Sequence, residues 1–233
     1  MEIPPGAGSG PEIAPQRGSD TVHTRLDAAL AHRWIHELDR RLRASEVRLT
    51  ELDAAIGDAD HGANMTRGAR AAAARLADGV DTSAAQLITA VGHTFSRSIG
   101  GASGPLYGTW FTALGRTLPS DHDADAGEFA EALLAALVAV QQLGAAERGD
   151  KTMVDALGPA ADRAQSAARA GADLAGTLRL AVGAAEDGAL ATVPLRARRG
   201  RASYLGARSE GHQDPGATSA AIVLDALRRA AGA

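Results

Sequence analysis

Three aspartates within thirteen residues are the densest group of chemically active side chains in this sequence. The stretch Leu52–Asn64, LDAAIGDADHGAN, contains Asp53, Asp58 and Asp60. Asp53 is predicted on the last turn of a helix, and the other two follow in an extended segment, where residues two apart project to the same side. Three close carboxylates repel one another unless a cation lies among them, and such oxygen ligands suit Mg²⁺ shared with phosphates. The alternative is that Asp58 and Asp60 only cap the next helix.

A glycine-rich bend is the second candidate for phosphate chemistry. Residues 100–105 read GGASGP and precede a predicted helix over Leu106–Leu118. Backbone amides in such a bend approach phosphate oxygens without obstruction from Cβ atoms. The segment is not a P-loop, because no Gly-Lys-Ser/Thr follows it. A tight turn between helices is the alternative.

Two further polar segments lie towards the C-terminus. The run Gly144–Thr152, GAAERGDKT, contains Lys151, the only lysine beside 23 arginines. That lysine is either selected for its compact charge or an accident of composition. A loop of about 25 residues, over about 196–219, carries an arginine cluster and a Gly/Pro/Asp turn, and loops of that length are usually functional. We interpret it as an anion-facing lid rather than a solvated basic patch; the four clustered arginines are Arg196, Arg198, Arg199 and Arg201.

Composition excludes several classes of protein. The formal net charge is −4 and the pI is about 6.0, which argues against a nucleic-acid partner. The absence of cysteine excludes disulfides, thiolate catalysis and cysteine-ligated metals, and fits a cytoplasmic protein. We expect neither a membrane span nor a signal peptide, because no run approaches eighteen apolar residues. His32 and His36 have metal-ligand spacing, but we interpret them as solvated surface residues.

Helices must position these segments. Residues 1–19, rich in Pro, Gly and Ser, are predicted to form a disordered leader, with one domain over 20–233. Aromatic residues are 3% of the chain and alanine is abundant, which favours closely packed helices. Apolar spacing predicts an all-α domain of about eight helices in one antiparallel assembly. We expect the four polar segments on one rim of this assembly. The predicted helices, two of which lie before residue 57, are 20–42, 45–56, 62–76, 83–99, 106–118, 127–143, 154–170, 172–186 and 218–230.

Four segments in this order resemble a known family. LDAAIGDADHGAN, GGASGPLYG, GDKTM and ARRGRASYLGARSEGHQDPGATS are similar to signature segments of the ADP-binding L subunit of dihydroxyacetone kinase. The resemblance covers about residue 20 to the C-terminus and leaves out only the leader. It implies an up-and-down barrel of eight antiparallel helices with the nucleotide at one end.

The resemblance also implies roles for individual residues. The three aspartates would hold two Mg²⁺ ions that bridge to the phosphates of ADP or ATP and, with Arg201, would be catalytic. The remaining implied nucleotide contacts are His61, Gly62, Ala63, Asn64, Gly101, Ala102, Ser103, Gly144, Thr152, Met153, Asp214, Pro215 and Gly216, together with Arg201.

The implied activity is phosphoryl transfer to dihydroxyacetone. The resemblance does not extend to a K-type region, so we expect a separate K subunit that binds dihydroxyacetone. In the favoured form, ADP is retained and is rephosphorylated by a phosphohistidine on an M subunit of the phosphoenolpyruvate-dependent phosphotransferase system. Two alternatives stay open: an ATP-dependent kinase subunit for a related short sugar, and a nucleotide-binding regulatory module. Neither nucleic acid nor membrane is an expected partner.

Overall fold

The structure is a computed structural model that describes residues 24–76, 79 and 83–233. The predicted leader, residues 1–19, and the predicted helix start at Ser19 or Asp20 lie outside the described residues. Eight α-helices and one long 3₁₀ segment make up the described part, which contains no strand beyond an isolated bridge between Leu26 and Ala124. The helices are α1 (Ala28–Ile56), α2 (His61–Arg75), α3 (Ala84–Ser98), α4 (Ser103–Thr117), α5 (Ala126–Gly144), α6 (Val154–Arg169), α7 (Leu174–Ala191) and α8 (Pro215–Ala230), with the 3₁₀ segment at Arg201–Ser209.

The helices form a closed ring. Each helix packs against the next one along the chain, from α1 to α8, and α8 packs back against α1. Except between α7 and α8, short connections join the packed neighbours, and successive helices are antiparallel. The predicted all-α, up-and-down barrel of eight helices is therefore confirmed.

Polar contacts close the seam between α1 and α8. The indole Nε1 of Trp34 donates to the carbonyl oxygen of Val223 at 2.9 Å, deep in the core. The carboxylate of Asp225 pairs with Arg41 across the seam at 2.7 Å and with Arg228 on its own helix at 2.6 Å. Because Asp225 is 3% exposed, these pairs neutralise a charge that would otherwise be buried alone.

Alanine lets the helices approach closely, while a few aromatic rings fill the wider part of the core. The ring of Phe111 lies 5.5 Å from that of Trp34, 5.0 Å from Phe95 and 4.9 Å from Trp110, measured between centroids. All four side chains are buried. Large aromatic side chains compensate here for the small volume of the alanines around them.

The alternation of the helices brings four connections to one rim. In an up-and-down ring, the connections α1–α2, α3–α4, α5–α6 and α7–α8 share one end, and the other three share the opposite end. The first set contains the aspartate stretch, the glycine-rich bend, the GDKT run and the arginine-rich loop. The topology therefore accounts for the predicted gathering of the polar segments.

Several helix boundaries differ from the prediction. One continuous helix, α1, replaces the two predicted before Ile56, because the stretch around Ser45 contains neither Gly nor Pro and an i,i+4 pair between Asp39 and Arg43 supports it. It begins at Ala28, later than predicted, because Asp27 caps it through the N–H of Leu30. Helices α4, α7 and α8 extend beyond their predicted bounds by three to five residues.

By length and composition alone, α5 could cross a membrane, whereas the sequence analysis expected no membrane span. Among the described helices it is alone in this respect. It lies between α4 and α6 in the ring, and its buried residues include Phe129 and Leu133. The barrel core accounts for the apolar character of that face.

Candidate active site

A cavity of about 430 Å³ lies at the rim where the four polar segments meet. The end of α1 and the α1–α2 connection contribute the aspartates, the α3–α4 connection contributes the glycine-rich bend, and the α5–α6 and α7–α8 connections contribute the remaining polar wall. Another part of the wall is apolar and comes from α4, α5 and the α5–α6 connection. Its side chains include Leu106, Val140, Leu143, Ala146 and Met153.

The three aspartates form a carboxylate cluster. One oxygen from each of Asp53, Asp58 and Asp60 lies within 4.8 Å of the others, and within the described residues this is the sole group of three or more acidic, His or Cys side chains that could hold a metal ion. Asp53 is buried and the other two are exposed. A cluster with one anchored and two open carboxylates suits a hard divalent cation that keeps part of its shell for other ligands.

Asp53 also caps α2. Its Oδ2 accepts the backbone N–H groups of Asp60 at 2.9 Å and His61 at 3.1 Å. Asp60 occupies the N-cap position, but its side chain makes no capping hydrogen bond. The alternative, in which Asp58 and Asp60 only cap this helix, does not hold: the capping oxygen belongs to Asp53 on the preceding helix, and Asp58 and Asp60 line the cavity.

The backbone of the turn is shaped around Asp53. A Cβ on Gly57 would lie 2.0 Å from Asp53 Oδ1, so only glycine leaves room for that carboxylate. Ala59 has a φ of 63°, a left-handed conformation that is strained for a residue with a Cβ. Such strain between two aspartates is consistent with a turn selected for where it places its side chains.

Arg201 reaches into the cluster from the 3₁₀ segment. Its Nε lies 3.0 Å from Asp58 Oδ2, with 67% of the arginine side chain and 34% of the aspartate side chain exposed. The guanidinium thus offsets part of the negative charge of the cluster. At this exposure the pair is weak and readily exchanged for other partners.

The glycine-rich bend presents a helix N-terminus to the cavity. Gly101 has a φ of 62°, and α4 begins two residues later at Ser103 with no capping side chain among the described residues. The first N–H groups of a helix carry partial positive charge and favour anions. This end of α4 lines the same cavity as the carboxylates.

His61 ties three helices together beneath the cluster. Its Nε2 lies 2.8 Å from Ser219 Oγ on α8, and its Nδ1 lies 3.2 Å from Ser103 Oγ on α4. The hydroxyl of Tyr107 lies 2.6 Å from the same Ser219 oxygen. Burial lowers the pKa of His61, against the opposing effect of Asp53, and burial raises the pKa of Tyr107. Both side chains are therefore neutral hydrogen-bonding groups near pH 7.

Asp214 begins α8 at the edge of the cavity. Its Oδ2 accepts the N–H of Ala217 at 2.6 Å, and its own N–H donates to Thr192 Oγ1 at 2.9 Å. Burial raises the pKa of Asp214 to about 7, with a further contribution from the charge of Asp155, while Ala217 N–H and Lys151 oppose the rise. The residue joins the end of the α7–α8 connection to the start of the last helix.

All but three of the predicted site residues line the cavity. The exceptions follow His61 on α2. A Cβ on Gly62 would lie 2.2 Å from the carbonyl oxygen of Glu46, so this glycine permits close packing of α2 on α1. Ala63 is exposed outside the cavity lining, and Asn64 accepts a hydrogen bond from Arg67. The sequence alone does not show which side chains of α2 face the cavity, because the rotation of that helix is set by its packing on neighbouring helices.

Several cavity residues were not among the predicted nucleotide or metal contacts, although Arg199 was part of the predicted anion-facing lid. They include Tyr107, Lys151 and Arg199. Lys151 was singled out as the only lysine, which was the available signal, whereas Tyr107 reads as an ordinary core aromatic. The apolar wall also escaped notice, because isolated leucines on a helix do not reveal whether they face the core or a cavity.

Comparison with known proteins agrees with the geometry. A family model described as the DAK2 domain matches residues 55–229. The chain is 39% identical over 183 residues to the PEP-dependent dihydroxyacetone kinase, ADP-binding subunit DhaL, of Escherichia coli strain K12, covering 78% of this chain and 87% of that protein. It is also 39% identical over 187 residues to the L-erythrulose 1-kinase of Mycolicibacterium smegmatis, covering 78% of this chain and 32% of that protein.

A solved structure has the same fold. The dihydroxyacetone kinase of C. freundii in complex with AMP-PNP and Mg²⁺ matches with a TM-score of 0.66 and 27% identity, over 97% of this chain and 38% of that one. This chain thus spans well under half of the solved kinase and nearly all of the E. coli subunit. With the family model matching most of its length, the chain belongs to the DAK2 domain family and is similar to the ADP-binding L subunits of dihydroxyacetone kinase.

Proposed function

We propose that this chain is the nucleotide-binding, phosphoryl-transferring L subunit of a dihydroxyacetone kinase. One observation carries the proposal: a three-carboxylate cluster and the uncapped start of α4 line a single cavity that also has an apolar wall. A metal–nucleotide complex needs these three features together: ligands for the cation, donors for the phosphates and an apolar surface for the base.

The donor set fits Mg²⁺. Three carboxylates with oxygens within 4.8 Å of one another leave a concentrated negative charge that Arg201 offsets only in part. We assign Asp53, Asp58 and Asp60 as the ligands, with two ions as the expected number. Bound Mg²⁺ supplies charge neutralisation and orientation for a transferring phosphoryl group.

The protein's own groups bind and orient the nucleotide. The N–H groups at Gly101, Ala102 and Ser103 serve as phosphate donors, and Arg201 has the charge and reach to join them. Gly144, Thr152 and Met153, with the nearby leucines, form the surface for the base. The α8 start, Asp214 to Gly216, borders the opening.

The acceptor lies on a partner protein in this proposal. A dihydroxyacetone-binding K subunit would supply the sugar, and a phosphohistidine-carrying M subunit would restore the phosphoryl group to retained ADP, in the cytoplasm. The basis is the name of the E. coli relative, which describes a PEP-dependent kinase with an ADP-binding subunit. The erythrulose kinase relative makes a four-carbon ketose the substrate to compare with dihydroxyacetone.

The first test is the nucleotide that copurifies with the protein. The full chain is purified without added nucleotide, denatured, and its supernatant analysed by ion-exchange chromatography; we expect about one ADP per chain. Activity is then measured as dihydroxyacetone phosphate formed with a K subunit and either a phosphohistidine donor or free ATP. Turnover with ATP alone would replace the phosphotransferase-linked form by the exchanging form.

A matched pair of variants tests the metal assignment. Asp58→Asn removes one cluster carboxylate, whereas Asp123→Asn makes the same charge change at an exposed residue in the α4–α5 connection on the opposite rim. We expect the first to weaken Mg²⁺-dependent ADP binding by roughly 10- to 100-fold, as for loss of a charged ligand, and the second to leave it unchanged. Unchanged binding and activity in Asp58→Asn would refute the assignment.

A further inference from the structure

The connection between α7 and α8, residues 192–214, is fastened at both ends to one buried ammonium. Nζ of Lys151 donates to the carbonyl oxygens of Thr192 at 2.7 Å, of Val193 at 3.5 Å, and of His212. The lysine is 1% exposed. Three donors thus meet three carbonyls, two at the start of the connection and one near its end, which uses the full donor set of an ammonium.

The neighbouring aspartate holds the middle of the same connection. The backbone N–H of Arg198 donates to the carbonyl oxygen of Asp150 at 3.0 Å, and Arg199 Nε lies 3.3 Å from the Asp150 carboxylate. Asp150 is itself fixed by the N–H of Glu147 at 2.9 Å. Asp150 and Lys151, two consecutive residues of the GDKT run, therefore bind the connection at its start, middle and end.

Lys151 occupies a position that is otherwise unfavourable for it. Its φ is 63°, where glycine is favoured, and its charge is buried. Burial lowers its pKa, and the carboxylates of Asp214, Asp155 and Glu210 counter that effect. The chain uses arginine at its other 23 basic positions. A planar, forked guanidinium does not replace a compact ammonium that donates in three directions.

The connection in turn carries Arg201 to the carboxylate cluster. Arg201 lies two positions after Arg199, which pairs with Asp150, and the Nε of Arg201 lies 3.0 Å from Asp58 Oδ2. We propose that Lys151 is a positioning residue: it holds the 192–214 connection closed over the cavity and so places Arg201 beside the aspartates. The closure stands on the contacts alone, and its effect on ADP rests on the proposed function.

The unmodified protein provides the first test, because Lys151 is the only lysine. An amine-specific acylating reagent adds mass at this side chain and at the N-terminus, and peptide mass spectrometry separates the two. We expect acylation of Lys151 to be at least roughly 100-fold slower than that of lysine in an unstructured peptide, since the connection must first open. Acylation within about threefold of the peptide rate would overturn the proposal.

The absence of cysteine permits a matched pair of side chains at the same position. Lys151→Cys, alkylated while unfolded and then refolded, yields S-aminoethylcysteine with bromoethylamine, a lysine analogue with the ammonium in place. Bromopropane yields a neutral side chain of nearly the same size. An arginine-specific protease then reports closure, because the connection contains Arg196, Arg198, Arg199, Arg201 and Arg208.

We expect the propyl form to be cut in the connection at least about tenfold faster than the unmodified protein, and the aminoethyl form to return to the original rate. Arginines within α1 serve as the internal reference for global unfolding. Equal rates in the propyl and aminoethyl forms would overturn the proposal. Failure of both forms to refold leaves the acylation test to decide.

Nucleotide binding separates this inference from the proposed function. We expect Mg²⁺-dependent ADP affinity to fall in the propyl form and to recover in the aminoethyl form. If cleavage follows the ammonium but neither form nor the unmodified protein binds ADP, the positioning role stands and the proposed function fails. If ADP binds equally to both alkylated forms while the connection opens, Lys151 closes the connection without serving the site, and the proposal is refuted.

Discussion

Arg201 should weaken metal binding and strengthen nucleotide binding, so its removal should shift the two affinities in opposite directions. The guanidinium of Arg201 lies 3.0 Å from the carboxylate of Asp58 and so competes with Mg²⁺ for that ligand. Since 67% of the arginine side chain is exposed, the pair contributes only about 0.2–1 kcal/mol. Arg201→Ala should therefore raise the affinity for Mg²⁺ alone by up to about fivefold.

The nucleotide effect should be larger and of the opposite sign. A released guanidinium that binds a phosphate makes a charge-assisted hydrogen bond of about 1.5–3 kcal/mol. Its loss should lower the affinity for ADP at saturating Mg²⁺ by roughly 10- to 100-fold. The arginine thus exchanges one anionic partner for another when the cavity fills.

Isothermal titration measures both affinities on the same preparation, first with MgCl₂ and then with ADP. Arg196→Ala is the control, because it removes the same charge from the same connection at a residue that lies 3.8 Å from Glu210 and outside the cavity lining. The reasoning is refuted if both affinities fall together in Arg201→Ala, or if Arg196→Ala reproduces its pattern.

Three further changes test other contacts. Gly57→Ala should lower the affinity for Mg²⁺ by about tenfold or more, because the new Cβ would lie 2.0 Å from Asp53 Oδ1. Titration with Mn²⁺, followed by electron paramagnetic resonance, measures the change in metal affinity, and an unchanged affinity would contradict the prediction. Asp225→Asn should lower the free energy of unfolding by about 2 kcal/mol, measured with urea, because it leaves Arg41 without its buried partner across the seam; a loss below about 0.5 kcal/mol would contradict it. The pKa of Asp214, about 7 in the folded protein, lies above its ordinary value of 3.8, so its contribution to stability is present below pH 4 and is lost as the pH rises through 7. Asp214→Asn keeps a capping oxygen and should flatten the fall in unfolding free energy between about pH 4 and 7, and an unchanged slope would argue against a neutral carboxyl in this cap.

Local patterns predicted most of the architecture, because helix periodicity and short connections act over a few residues. The prediction failed at a helix boundary and at a helix cap, where local apolar spacing carries no information. The predicted break before Ser45 does not occur, since no Gly or Pro forces it. The capping role of Asp53 depends on a turn that brings it back to the N–H groups of residues seven and eight positions later.

The candidate site was predictable by residue type and only partly by position. Carboxylates, glycines and arginines indicate phosphate chemistry wherever they concentrate. The four segments could therefore be recognised from the sequence, whereas their contact around one cavity is seen only in the fold. Lys151 shows the limit. Its rarity was visible in the sequence, but its partners are backbone carbonyls 41 and 61 residues away, which no side-chain pattern records.

The seam between α1 and α8 also bears on the order of folding that we expect. Trp34 and Val223 are 189 positions apart, whereas the other helix pairs of the ring are neighbours along the chain. We expect local pairs to form early and the entropy of closing so long a loop to be lost only when α8 docks on α1. The cavity is complete only after that step, because α8 carries Pro215 and Gly216 to its wall. We therefore expect a ribosome-bound chain that lacks α8 to have seven of the described helices and an exposed apolar flank, and to complete its binding site only when α8 docks.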